Sequence, residues 1–234
     1  MIDILRQALR KNRQYFYPLI PFDKHRQKLL HLDLSIHNSK LLPDIYNNQR
    51  SFSNYIDNQL NQYDCEYAVG GYNEERNIYE ASPLFDSENG NRRLHIGFDI
   101  WGPAGTPVSA FMGGMVHSFA YHPADGDYGA TLILSHQLEA ISFYTLYGHI
   151  SIQDIDKLQP GQYINRGNII AHFGFPAENG GWPPHLHFQV IADMGLKEGD
   201  YPGVVEVVER EKYLSVCPDP DLITNMMSYT IRAS

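Results

Sequence analysis

Cysteine, positive charge and long apolar runs are all scarce in these 234 residues. There are two cysteines, Cys65 and Cys217, far apart and outside any CxxC pattern. That excludes a disulfide framework and a cysteine zinc site, and leaves open whether the two pair. Eighteen basic residues stand against 27 acidic ones, a formal net charge of −9, and no Lys/Arg block occurs. The balance argues against nucleic acid and against an anionic membrane surface as partners. No apolar stretch reaches transmembrane length, and "MIDILRQALRKNRQYFYPLIPF" lacks the apolar centre of a signal peptide. The expectation is a chain with no membrane span and no export signal, cytoplasmic unless it is exported by another route or a signal was removed. Internal repeats and low-complexity segments are also missing.

A hydrophobic content of 43% is enough for a real core. The first 85 or so residues are rich in Asn, Gln, Tyr and Asp. "KLLHLDLSIHN" alternates Leu30, Leu32, Leu34 and Ile36 with polar residues, which predicts a half-buried strand. "PDIYNNQRSFSNYIDNQLNQYD" carries Ile45, Phe52, Ile56 and Leu60 at helical spacing and predicts an amphipathic helix. Beyond "FDSENGNRRL" come short apolar segments punctuated by Gly and Pro: "HIGFDIW", "PVSAF", "GMVHSFAYH", "GATLILSH", "ISFYTLYGH", "GQYINRGNIIAHFG" and "HLHFQVIAD". Strands at this density predict a mainly β core, an antiparallel sheet or barrel-sandwich-like arrangement, α+β overall. The division expected is an α+β extension over 1–85, the β core over 86–195, and over 196–234 a short helix near Val205 to Leu214 with a Pro-broken tail packing on the core.

Among eleven histidines, those in "HIGFD", "LYGHIS" and "HLHF" stand in contexts that packing alone does not explain. Imidazole nitrogen and carboxylate oxygen are ordinary zinc ligands, so a His/Asp metal site is the first hypothesis. His95 and Asp99 are four residues apart, which on a straight strand is roughly 13 Å, so the backbone must bend between them. Gly97 at the midpoint can supply a bulge or an unusual dihedral. His187 would complete three ligands and leave a fourth tetrahedral position for water, the pattern of a catalytic site. His185 shares a strand face with His187, with Leu186 turned away into the core, and could exchange protons with that water. His149, after the "YG" turn, is the other candidate for this task.

In order and in a glycine-punctuated β context, these motifs resemble the three signatures of the LytM/lysostaphin-type zinc metallopeptidases, the peptidoglycan endopeptidase family. "GTPVSAFMGGMVHSF", "GDYGATLILSH" and "PGQYINRGNIIAHFG" extend the resemblance over about Leu94 to Val190. It implies that His95, Asp99 and His187 bind Zn²⁺ and that His149 and His185 flank the activated water. One histidine would act as acid/base and the other would stabilise the oxyanion, in either order. A peptide or peptidoglycan substrate is implied as well. In some members of that family an N-terminal segment adds a fourth ligand, and His37 or Asn38 in "SIHNSK" would be candidates.

Against this stand blander readings. His25, His31, His37, His117, His122, His136 and His172 are expected to be partly buried or surface histidines. Tyr144 and Tyr147 are expected to pack, and "WPP" (182–184) is expected to form a rigid loop at a cleft edge. A non-catalytic metal- or peptide-binding module is the main rival. A biotinyl or lipoyl carrier hairpin at "LQPGQYINRGNIIAHFG" is the second, and lacks the lysine such a carrier needs.

Overall fold

The computed structural model describes residues 2–88 and 90–232. Its main sheet is built from β1 (Leu29–His31), β2 (Tyr67–Gly70), β5 (Phe98–Trp101), β7 (Gly114–His122), β8 (Gly129–Leu138), β9 (Ile141–Ile150), β10 (Tyr163–Ile164), β12 (His185–Ile191) and β14 (Thr230–Arg232). The order across this open sheet is β10-β7-β8-β9-β12-β5-β2-β1-β14. Pairing is antiparallel from β10 to β2 and parallel at the far edge, where β1 lies between β2 and β14. The sheet is therefore mixed, and it does not close into a barrel. Two smaller sheets join β3 (Glu74–Glu75), β4 (Leu94–His95) and β13 (Val204–Val205), and β6 (Pro107–Ser109) with β11 (Ile169–His172).

Helices cover both faces. α1 (Ile2–Asn12), which the sequence pattern above did not single out, buries Leu5, Ala8 and Leu9, an i, i+3, i+4 stripe. The helix expected over 43–64 is two pieces, α2 (Pro43–Tyr46) and α3 (Gln49–Tyr63). Asn48 interrupts them because its side chain accepts a hydrogen bond from Ser51 N and caps α3. α4 (Ile152–Ile155) follows β9. In the tail, 204–205 pair as a strand with β4, and the expected helix forms from Val207 on, as a 3-10 turn (Val207–Glu209) that runs into α5 (Arg210–Leu214), before α6 (Asp221–Thr224).

Alternation along the strands sorts the core. Leu29, Tyr67, Val69, Phe98, Ile100, Tyr147, Leu186, Phe188 and Val190 share one large apolar cluster with Leu5 and Leu9 of α1. Their strand neighbours face the other way. There, Leu30, Ala68 and Trp101 join Phe52 and Ile56 of α3 in a second cluster, while Ile133, Leu146 and Ile191 join Val205 and Cys217 in a third. His185 and His187 emerge on this second face, between the two smaller clusters. Both cysteines are buried free thiols.

His136 shows what burial does to an imidazole with a purely structural job. Its Nδ1 donates to Gly113 O at 3.0 Å, and Thr145 Oγ1 donates to its Nε2 at 2.7 Å. Burial pushes its pKa down to about 4. The folded state stays neutral where the unfolded chain takes up a proton, so this contribution is complete above about pH 6.5 and is lost as pH falls towards 4. The loss is at most about 3 kcal/mol. Urea titrations from pH 7 to 4 should show stability falling, with a smaller slope in His136→Gln.

Candidate metal centre

His95 and Asp99 lie on strands of different sheets. His95 ends β4, Asp99 is the second residue of β5, and the chain crosses from one sheet to the other at Gly97. This crossing, rather than a special dihedral, makes the bend, since Gly97 is not among the glycines with positive φ. The glycine serves close approach instead: a Cβ there would lie 2.2 Å from His187 Cε1. Gly97→Ala should therefore push the His187 ring aside and cost about 1–3 kcal/mol. A thermal melt would read that cost, and metal analysis should show less than one bound ion per chain.

His187 sits opposite Asp99 in the β12–β5 register, and His185 opposite Trp101. That register puts His95 Nε2 and His187 Nδ1 each 3.3 Å from Asp99 Oδ1, and 2.9 Å from one another. The edge of a tetrahedron around a zinc ion with bonds of about 2.0 Å is about 3.3 Å. All three residues are at most 2% exposed.

Hydrogen bonds set the tautomers. His95 Nδ1 lies 2.7 Å from Gly71 O, and because a carbonyl only accepts, that nitrogen carries the proton and Nε2 carries the lone pair. His187 Nε2 donates to Gln189 Oε1 at 3.0 Å, and the Gln189 amide is oriented by donating to Pro202 O. In the neutral ring the lone pair is then on His187 Nδ1. Asp99 Oδ2 is taken by Arg76, while Oδ1 is buried with no hydrogen-bond partner. Burial works against the Asp99 charge, but the Arg76 guanidinium on Oδ2 outweighs it and holds the carboxyl well below the usual range. Three acceptors converge with no proton between them. That donor set and the orphaned oxygen fit a divalent cation, and the group could hold a metal ion.

The second imidazole pair stands beside this cluster. His149 is the extra residue of a bulge in β9, where Ala130 and Thr131 pair with Ile150 and Gly148, and its φ is +60°. A non-glycine residue pays for that conformation, and the bulge turns the ring towards the site. The rings of His149 and His185 are 4.2 Å apart, and His185 stacks on Trp101 at 4.0 Å. His149 Nδ1 donates to Asn179 O and His185 Nδ1 donates to Pro183 O, which leaves both Nε2 atoms as acceptors. Burial lowers the pKa of both, that of His185 to about 4 and that of His149 well below its ordinary value. Both are neutral at pH 7.

The five singled-out residues line one cavity of about 220 Å³, together with Arg76, Tyr79, Tyr128 and Trp182. Trp182 packs edge-on against Phe52, Tyr79 and His149, so the "WPP" loop does form a wall of the cleft. His37 and Asn38 are elsewhere: His37 is exposed, and the Asn38 amide donates to Asp33 O and Tyr55 Oη. Among the described residues, no further His, Cys, Asp or Glu joins the three-residue group. Two contributors escape motif reasoning. Gln189 could have been suspected as a polar residue two positions past His187 on the same face; Arg76, in the polar stretch "NEERN", carries no local signal.

A β sheet bearing a buried His-Asp-His group beside two further imidazoles has the layout of a metal-dependent hydrolase centre. Residues 93–198 match the family described as Peptidase family M23, so the resemblance read from the motifs is borne out over the segment that carries the site. The chain is also 32% identical over 97 residues, 42% of its length, to the DD-carboxypeptidase/endopeptidase Mpg of Neisseria meningitidis. It spans about a fifth of the length of the curated relatives it matches (20%). Among solved structures, it is similar to a zinc containing peptidase from Vibrio cholerae (31% identity, 52% of this chain and 32% of that one, TM-score 0.37). It is also similar to the catalytic domain of the antimicrobial peptidase lysostaphin from Staphylococcus simulans (21% identity, 66% and 96%, TM-score 0.39).

Proposed function

We propose that this chain is a zinc-dependent metalloendopeptidase acting on the peptide cross-links of peptidoglycan, with His95, Asp99 and His187 holding the ion and His149 and His185 moving protons. One observation carries the reading: three buried acceptors, one of them the partnerless Asp99 Oδ1, converge, with both imidazole nitrogens a tetrahedral edge away from that oxygen and 2.9 Å from one another. The family match over 93–198 and the endopeptidase named in the Neisseria relative support the reaction class and the substrate.

Zinc bound there would act as a Lewis acid, polarising the scissile carbonyl and lowering the pKa of water towards about 7. The protein's own groups do the rest. His149 and His185 both present an unprotonated Nε2, so either can take the proton from the attacking water. Only the ring that has gained a proton can donate through Nε2, to the leaving amine or to a developing oxyanion. The Nδ1 bonds to Asn179 O and Pro183 O keep both rings oriented throughout. Trp101 beneath His185 limits its tilt.

The rival is a non-catalytic metal- or peptide-binding module, favoured by burial: none of the five side chains is more than 7% exposed. Measuring bound zinc and cleavage of cross-linked muropeptides separates the two. One zinc per chain with cleavage of a cross-link amide is expected; one zinc per chain with no cleavage of any cross-link would leave the module.

A further inference from the structure

Arg76 enters the site from outside the family-matched residues. Its side chain is 2% exposed. One terminal nitrogen, Nη1, donates to Asp99 Oδ2 at 2.7 Å and to Tyr79 Oη at 3.2 Å, and Nε donates to Glu74 Oε1 at 2.7 Å. Space for it is made at Gly71, where a Cβ would fall 1.9 Å from Arg76 Nη2 and where φ is +98°. Burying a guanidinium costs several kcal/mol unless its partners compensate, and here the two carboxylates do.

The effect on Asp99 is to divide the labour of its oxygens. Oδ2 is held by Arg76, whereas Oδ1 faces the two imidazole lone pairs with no donor. We propose that Arg76 is a positioning residue that makes Asp99 a one-oxygen ligand: by holding Oδ2 it leaves only Oδ1 to the ion and keeps open a coordination position that a chelating carboxylate would occupy. Glu74 balances the guanidinium, so the Asp99 charge remains available to the ion. An open position is what separates a catalytic zinc site from a closed structural one. The inference rests on the metal reading above and adds to it that the strand-and-loop segment before the matched core sets the coordination number.

Cobalt substitution tests it without relying on activity. The visible d–d bands of four-coordinate cobalt are several-fold stronger than those of five- or six-coordinate cobalt. The cobalt-loaded parent should show the strong bands. In Arg76→Met, with Asp99 free to chelate, they should weaken several-fold; an unchanged spectrum in a folded, cobalt-binding Arg76→Met overturns the proposal. Should that variant fail to fold, the zinc-loaded parent decides alone. A structure with Asp99 bound through Oδ1 and Arg76 still on Oδ2 supports the proposal, and one with both oxygens on the ion overturns it. A parent that binds neither metal removes the metal reading itself, and this inference with it.

Discussion

In His149→Ala and in His185→Ala, cleavage of a cross-link peptide is expected to fall about 10²–10⁴-fold while bound zinc stays at one per chain. Neither ring belongs to the converging acceptor set; each stands beside it, anchored through Nδ1 to a backbone carbonyl. Removing either should spare the ion and strike the proton transfers. Because the two rings are 4.2 Å apart and serve one reaction, the double variant should lose little more than the worse single one. Proton transfer and oxyanion stabilisation are both made in the transition state, so loss of either ring should lower kcat with KM nearly unchanged. Full activity in either variant would remove that residue from the proposed machinery.

Asp99→Ala should lose the metal and destabilise the fold. The carboxylate is a proposed ligand, but it is also one of two counter-charges, each 2.7 Å away, of a buried guanidinium. Breaking a buried pair by deleting one member costs about 3–5 kcal/mol, because the survivor is left as an uncompensated charge. Glu74 remains on Arg76 Nε, which places the expected cost near the lower figure. For a chain of this size about 3 kcal/mol corresponds to a fall of roughly 6–12 °C in Tm. The measurement belongs on metal-free protein, so that ligand loss does not enter. Combining Asp99→Ala with Arg76→Met and Glu74→Gln removes all three charges of the cluster and should recover most of the loss, whereas equal melting of parent and Asp99→Ala would show that the pair contributes nothing.

Much of the site is legible from period and spacing. His185 and His187 share a face because strands alternate, and Leu186, fully buried in the large cluster, points the other way for the same reason. The glycine in "HIGFD" signals a constraint, though its cause is the ring of a residue far along the chain, which only the β12–β5 register reveals. Arg76 cannot be found by pattern, because it meets Asp99 from 23 residues away through a strand crossing. The parallel edge is equally hidden: β1 and β14 come from opposite ends of the chain, and three-residue strands carry almost no periodicity. α1 is compact enough to be overlooked when the N-terminus is scanned only for a leader. The break between α2 and α3 depends on one capping asparagine inside an otherwise continuous stripe.

The left-handed backbone at His149 sets two demands at one position. Glycine or asparagine would occupy φ +60° at lower cost than histidine, so for stability alone the site prefers another residue. The proposed chemistry needs the imidazole that only this bulge delivers beside His185. A search for thermostable variants that scores folding alone would be drawn to position 149 and would select out the ring for which the strain is tolerated.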